Sequence, residues 1–330
     1  VAVLAHIEGI DFFSPAELDQ LDTVVALADR APIGSWDDPR ADALLADAEV
    51  IIGHWLCPRL DAAVLERAPN LGLVAYAAGT VKDVVTDAVF DRGIRVTSGA
   101  KANAEPVAQF TLAAVIFATK DVFWRRDELR DRSIRDTRQP GDVPVGALHK
   151  TIGIVGASAV GRRTIELLQA VGGFELVVFD PYLTDDEATA LGVTKVDLDE
   201  LCGRVDVLSI HAPELPSTRH LVGAAQLARL RTGATVINTA CGSIVDQDAL
   251  VAELATGRLT AVIDVTDPEH LPADHPLRTL PNVFLTPHLA GSEGTELARL
   301  TDHVVEEIRR WVAGEPALNQ IHREQLPRLA

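Results

Sequence analysis

The chain of 330 residues contains no methionine, three cysteines and few aromatic residues, which make up 5% of it. The missing methionine excludes nothing by itself. Cys57, Cys202 and Cys241 are odd in number and far apart, which argues against a disulfide framework or a zinc site. That usage fits a reducing, cytoplasmic setting. Basic residues are also scarce, 30 against 48 acidic ones, giving a net charge of −18 with no basic run. Such a balance argues against nucleic acid or an anionic membrane as partner. Long apolar runs are missing too, and the longest, around 110–118, is far too short to cross a bilayer. Residues 1–6 lack the basic flank, apolar run and cleavage site of a secretory leader, so none is expected there.

Hydrophobic residues make up 47% and charged residues 24%, the balance of an ordinary globular protein long enough for two domains. Short apolar strands alternate with helices, which predicts an α/β fold with parallel sheets covered on both faces. In the first hundred residues strands are expected at 1–4, 23–28, 50–52, 71–76 and 94–97, with helices at 41–47 and 60–68. No phosphate-binding turn lies there. A long helix is expected from 103 to about 130, with Pro106 in its first turn, where a missing N–H costs nothing. Its charged end, 125–132, reads as a solvated face or as a surface for a second subunit. Later strands are expected at 207–210, 235–238, 261–265 and 283–286. A final helix over about 293–313 carries an apolar stripe at Leu297, Leu300, Val304, Ile308 and Trp311 and stops at Gly314.

The segment 151–180 reads as a buried strand, a turn of small residues, a helix, a second strand and an acid at that strand's carboxyl end. This is the first half of a dinucleotide-binding βαβ unit. Gly156 permits the sharp exit from the strand, and Gly161 lets the helix lie close on the sheet. The helix N-terminus, with Ser158, Ala159 and Val160, then faces a pyrophosphate. Asp180 is placed to accept from an adenosine ribose, and its charge repels a 2′-phosphate, so NAD is expected rather than NADP. The middle glycine of the usual fingerprint is Ser158 here.

Three further clusters fall at the carboxyl ends of later strands, the edge where open α/β sheets bind ligands. They are His211-Ala212-Pro213 through Thr218, Asn238-Thr239-Ala240-Cys241-Gly242 through Asp246, and Asp264 through Glu269 followed by Pro287-His288. Hydride transfer needs a proton donor that works near neutral pH. A carboxylate beside an imidazole orients the ring and favours its charged form, so His288 and Glu269 pair as the acid/base couple. His270 and His275 read as surface residues, Cys57 and Cys202 as small hydrophobes, and no spacing suggests a metal.

These residues resemble the D-isomer-specific 2-hydroxyacid dehydrogenase family over nearly the whole chain. Its dinucleotide turn, its His-x-Pro-x-x-x-x-Thr segment at 211–218, and its Asn-x-Ala-x-Gly-x-x-Val-Asp frame at 238–246 all occur. Its Asp-Val-x-x-x-Glu segment at 264–269 and its Pro-His-x-Ala-Gly segment at 287–291 follow in the family's order. The resemblance implies two Rossmann-like doubly wound domains, with a cofactor domain at 101–288 inserted into a flavodoxin-like substrate domain formed by 1–100 and 289–330. It implies a small-molecule substrate, hydride transfer between NAD(H) and a 2-hydroxyacid or related carbonyl compound, and a homodimer joined through the inserted domain. By the same resemblance His288 is the acid/base and Glu269 its partner. His211, Ala212, Thr218, Thr239 and Ala240 line the cofactor, and Asp264 holds the nicotinamide carboxamide. The loop Ala78-Gly79-Thr80 grips a substrate carboxylate, with Lys82 and Trp55 beside the pocket.

Two positions depart from that pattern. Ala159 stands where many members carry an arginine near the pyrophosphate. Cys241 stands where the family places the arginine that binds the 2-oxoacid and polarises its carbonyl. A thiol has neither permanent charge nor a fork of donors. Three readings of Cys241 stay open: a substrate recognised by other means, with Lys82 as a candidate cation; a nucleophilic thiol that oxidises aldehydes; or an NAD-binding dimer that has lost its chemistry.

Overall fold

All ladders between the strands are parallel in this computed structural model, which describes residues 1–125 and 145–329. The chain divides into two compact units, Val1–Asn103 with Ser292–Ala330, and Ala104–Gly291. No helix among the described residues is long and apolar enough to cross a membrane.

The first unit is built on a sheet of β1 (Ala2–Ala5), β2 (Val50–Gly53), β3 (Leu73–Tyr76) and β4 (Arg95–Ser98), side by side in that order. The two-residue period of a strand sends alternate side chains to opposite faces. Val3, Ile51, Val74 and Val96 enter one core, while Leu4, Ile52 and Leu73 enter another with Phe13 and Leu21. The helix Leu297–Val312 closes that second face with Leu300, Val304 and Ile308, flanked by Leu297 and Trp311. The apolar stripe therefore does what its spacing predicts. The helix begins later than expected, after a tight turn at Gly294–Glu296, and Gly314 follows it at φ +72°.

The strand expected at 23–28 is not a strand. It reaches β1 through a single bridge, Leu27 to Ala2, and Ile33 beyond it bridges Ala5. The bonds to β1 at that bridge fall to Ala26 and Ala28, while Asp22 takes the Leu27 N–H at 3.1 Å and Asp29 the Ala31 N–H at 3.0 Å, so local side-chain bonds turn the backbone on either side of the bridged residue. Counted as an edge, this segment gives the flavodoxin-like order 2-1-3-4-5. At the other edge, residues past the final helix lie antiparallel to β4: Gln320 bridges Thr97, and the Ile321 N–H donates to the Val96 carbonyl at 2.9 Å. Glu307, 1% exposed, accepts from the backbone N–H groups of Leu318 at 3.1 Å and Asn319 at 2.7 Å. A buried helix carboxylate thus pins the chain that covers β4.

The second unit carries β5 (Lys150–Val155), β6 (Phe174–Phe179), β7 (Thr194–Lys195), β8 (Val207–Ile210), β9 (Thr235–Asn238), β10 (Thr260–Ile263) and β11 (Val283–Leu285). Their order is β11-β10-β9-β8-β5-β6-β7, the doubly wound arrangement of a Rossmann domain. Chain direction across the sheet reverses between β5 and β8, so a crevice opens at their carboxyl ends. The expected long helix is shorter, Ala100–Thr119, with a separate turn at Val122–Arg125 after Asp121 at φ +57°. Pro106 is its seventh residue rather than a member of its first turn. Ser98 Oγ accepts the Ala100 N–H at 3.1 Å and starts the helix upstream. The rest of the expected helix, with most of the charged stretch 125–132, lies outside the described residues.

Two predictions follow from buried polar groups. Glu307→Ala leaves two backbone donors without an acceptor and should lower stability by about 2–4 kcal/mol in urea denaturation. Burial holds His54 and His211 down to about 3, so both are neutral in the folded chain. Each takes up a proton on unfolding below its ordinary value near 6.5. Stability is therefore intact above that pH and falls as pH drops towards 3, by up to about 1.4 kcal/mol per unit for each histidine. The urea midpoint should decline between pH 6.5 and 4.5, and more shallowly in His54→Phe.

Candidate active site

The crevice of the second unit starts at Gly156, which leaves β5 at φ +98°. A Cβ there would stand 2.6 Å from the Ala212 nitrogen, and one on Gly161 would stand 2.0 Å from the Gly156 carbonyl oxygen. Strand, turn and helix are in contact through these two glycines, and no side chain fits between them. Ser158 is extended (φ −65°, ψ −178°), a conformation open to any residue, and its Oγ accepts the Gly161 N–H at 3.3 Å. The serine in place of the middle glycine therefore caps the helix Ala159–Val171. Asp180 ties the end of β6 to this turn: Oδ2 accepts from Ala157 N at 2.7 Å, and Oδ1 from Tyr182 N at 2.7 Å and Leu183 N at 3.1 Å. A cavity of about 240 Å³ lies between Gly156 and Asp180 on one side and Ala212, Pro213, Leu215 and Thr218 on the other. Thr218 Oγ1 shapes that far wall, donating to the Pro213 carbonyl at 2.6 Å and accepting the Leu215 N–H at 2.9 Å.

Not every expected residue faces this space. The His211 ring is buried, its Nε2 2.8 Å from Ser209 Oγ, and it packs behind Gly161. Thr239 is buried against Thr111, their hydroxyls 3.2 Å apart. Arg162, which sequence reasoning missed, donates from Nε to the Ala157 carbonyl at 3.0 Å and pairs with Glu187. Its place one helical turn past Ser158 was the available signal.

The clusters after β9, β10 and β11 meet along the same edge. Asn238 staples the first: its Nδ2 donates to the Cys241 carbonyl at 2.9 Å and its Oδ1 accepts from Ala240 N at 3.1 Å. Gly242 brings that loop against the next one, since a Cβ there would lie 2.1 Å from the Thr266 carbonyl carbon. Gln247 brackets Asp267, donating to its carbonyl and accepting its N–H at 3.0 and 3.2 Å. Cys241 is half-buried at the start of the turn Gly242–Ile244. Asp264, 3% exposed, governs the last loop. Its Oδ1 accepts from Thr286 Oγ1 at 2.6 Å and Leu289 N at 2.9 Å, and its Oδ2 from Ala290 N at 2.9 Å. Its carbonyl takes the His288 N–H at 2.9 Å. His288 sits at φ +56°, a conformation uncommon outside glycine, and this clasp holds it there. The ring then meets Glu269, with Nδ1 2.7 Å from Oε1. Both side chains stay about half exposed, and they line a cavity of about 340 Å³.

Residues 112–290 match the model described as D-isomer specific 2-hydroxyacid dehydrogenase, NAD binding domain. The chain belongs to this family. A glyoxylate reductase of Korarchaeum cryptofilum is 32% identical over 268 residues, 80% of each chain. A D-3-phosphoglycerate dehydrogenase of Mycobacterium tuberculosis is 32% identical over 297 residues, 89% of this chain and 55% of the relative. The chain thus spans about half the length of the phosphoglycerate dehydrogenases it matches. The crystal structure of a phosphoglycerate oxidoreductase from Rhizobium etli has the same fold, with a TM-score of 0.80, 24% identity and 98% of each chain covered.

NAD is the cofactor of this family's inserted domain, and the second unit fits it. The glycine turn leaves the helix N-terminus unobstructed, and an acid stands at the end of β6. In the first unit, by itself, the loop Ala78-Gly79-Thr80 leaves the carboxyl end of β3. Ser98 Oγ donates to the Ala78 carbonyl at 3.4 Å and also to that of Gly79. Thr80 Oγ1 accepts the Lys82 N–H at 3.3 Å. Trp55 follows β2, its ring centroid 4.7 Å from His54, which stacks on Phe12 at 4.0 Å.

The contact at Gly242 supplies a test of this loop packing. Gly242→Ala must push two backbones apart, and overpacking of this kind costs about 1–3 kcal/mol. Thermal melts should show a drop of several degrees. An unchanged melting temperature would mean the two loops are not in contact.

Proposed function

We propose that this protein is an NAD-dependent oxidoreductase that interconverts a small 2-hydroxyacid, or related alcohol, and its carbonyl partner. The observation that carries the proposal is the 2.7 Å pair of His288 Nδ1 and Glu269 Oε1 at the ligand-binding edge of the sheet. NADH, when bound, supplies the hydride. With Nδ1 engaged by Glu269, Nε2 is the ring atom left to give a proton to the carbonyl oxygen, or to take one from the alcohol. Glu269 orients the ring. Asp264 holds the turn that aims it, and we assign a remaining lone pair of that carboxylate to the nicotinamide carboxamide.

In this reading the backbone of Ser158, Ala159, Val160 and Gly161 meets the pyrophosphate, and Asp180 accepts from the ribose. Ala212 and Thr218 border the adenosine side, while Thr239 and Ala240 border the nicotinamide. His211 supports the strand end from below. The unit formed by 1–103 and 292–330 supplies substrate recognition through Ala78, Gly79, Thr80, Lys82 and Trp55. Glyoxylate and phosphorylated oxoacids, the substrates named for the relatives, head the panel to be tried. We further propose a homodimer through the inserted domain and a cytoplasmic location.

Cys241 sets the limit of the analogy. An arginine at its position would add charge-assisted bonds worth about 1.5–3 kcal/mol each, and a donor to the developing oxyanion is worth ~10²–10³ in rate. We therefore propose that the natural substrate is recognised without that group. His288→Ala should abolish NADH turnover while leaving NADH binding intact. Cys241→Arg should raise kcat/KM for simple 2-oxoacids by ~10²–10³. If Cys241→Arg changes no activity, that side chain is not at the reacting carbon. Tight NADH binding without turnover of any 2-oxoacid, phosphorylated oxoacid or aldehyde would favour the catalytically silent reading that Cys241 also motivates. A thiol mechanism instead predicts aldehyde oxidation that Cys241→Ser removes.

A further inference from the structure

The cavity of about 340 Å³ that holds His288 and Glu269 also holds Arg278, a residue with no part in the chemistry described so far. Its charges can be counted. Two carboxylates line it, Asp264 and Glu269, and both are engaged. Asp264 accepts three donors from the 286–290 turn, and Glu269 pairs with His288. Arg278 is the only lysine or arginine in the lining. Its Nη2 donates to the Leu271 carbonyl at 2.9 Å, and among the described residues no carboxylate lies within the 4.0 Å of an ion pair. In a chain of net charge −18, this exposed guanidinium, in the same lining as His288 and Glu269, is a cation that no carboxylate neutralises. It is also held in place. Arg278 ends the short turn Pro276–Arg278, anchored by buried Leu277, and the Leu271 bond fixes one edge of the guanidinium. The remaining N–H groups are free to form a fork that matches a carboxylate or phosphate. A volume of this size lies in the range of small-molecule sites.

We infer that Arg278 binds an anionic group of the substrate, a carboxylate or phosphate carried in addition to the one beside the reacting carbonyl. This deepens the oxidoreductase reading and rests on it. The substrate class is then a dianionic 2-oxoacid or 2-hydroxyacid. The cation missing at Cys241 has a counterpart in the same unit, in the lining that also holds His288 and Glu269. Without Arg278 the lining would carry the carboxylates of Asp264 and Glu269 with no permanent cation beside them, and would repel such a ligand.

The test compares substrates with and without the second anion in the NADH-loaded protein: 2-oxoglutarate for a carboxylate, phosphohydroxypyruvate for a phosphate, and pyruvate and glyoxylate for neither. The wild type should prefer one of the first two. Arg278→Gln should lower kcat/KM for that substrate 10- to 100-fold more than for pyruvate, mainly through KM, and Arg278→Lys should recover part of the loss. Equal losses on all four substrates, or a wild-type preference for pyruvate over both dianions, would overturn the inference. Binding is read separately by titrating 2-oxoglutarate and phosphohydroxypyruvate against the fluorescence of bound NADH. Dianion binding that weakens in Arg278→Gln, with no turnover of any substrate, would sink the oxidoreductase reading and leave Arg278 as an anion site. Turnover that depends on His288 but not on Arg278 would do the reverse. Failure of the wild type to bind either dianion refutes the site.

Discussion

The buried carboxylate of Asp264 is the constraint on which the candidate site depends. It closes over the turn after β11 with bonds to Thr286, Leu289 and Ala290, while its own carbonyl takes the His288 N–H. A left-handed non-glycine residue persists only where its surroundings over-determine it, and here four bonds do so. Glu269 meets His288 because that turn is fixed at one end and the 266–269 loop at the other. Thr266 Oγ1 ties the second end to the carbonyls of Pro268 and Glu269. The His288–Glu269 pair is thus a product of backbone clasps made by Asp264 and Thr266.

A family resemblance assigns Asp264 to the cofactor, yet its neighbours show a prior duty inside the chain. Sequence spacing finds such an acid but carries no record of which lone pairs are already taken. The same holds for His211, whose pattern marks a strand end, while its burial and its Ser209 contact are tertiary facts. The glycine turn was legible because its demands are local: Gly156 and Gly161 are required by backbone approaches within one βαβ unit. Ser158 was legible as an exception but not as a cap, since capping depends on φ and ψ that the residue type alone does not reveal.

Fold class followed from the alternation of strands and helices, because both faces of each sheet are buried and leave continuous apolar runs. Where sequence reasoning failed, a polar residue had intervened. Asp22 and Asp29 divert the backbone of the segment before Ile33 away from a regular strand. Ser98 begins the helix Ala100–Thr119 ahead of Asn103, the expected start, and so moves Pro106 out of the first turn. In both cases a short side chain bonds to nearby backbone and overrides a propensity argument.

The first unit is assembled from both ends of the chain, whereas the second is continuous. During synthesis the Rossmann unit has all its strands once residue 291 has emerged. The four-stranded sheet, made earlier, still presents Leu4, Ile52 and Leu73 to water until Leu300, Val304 and Ile308 arrive. Its β4 edge stays open longer, until Glu307 has drawn in Leu318 and Asn319. Throughout that interval the nascent chain exposes an apolar face and an unpaired strand edge together, the two features that chaperones bind and that aggregates grow from.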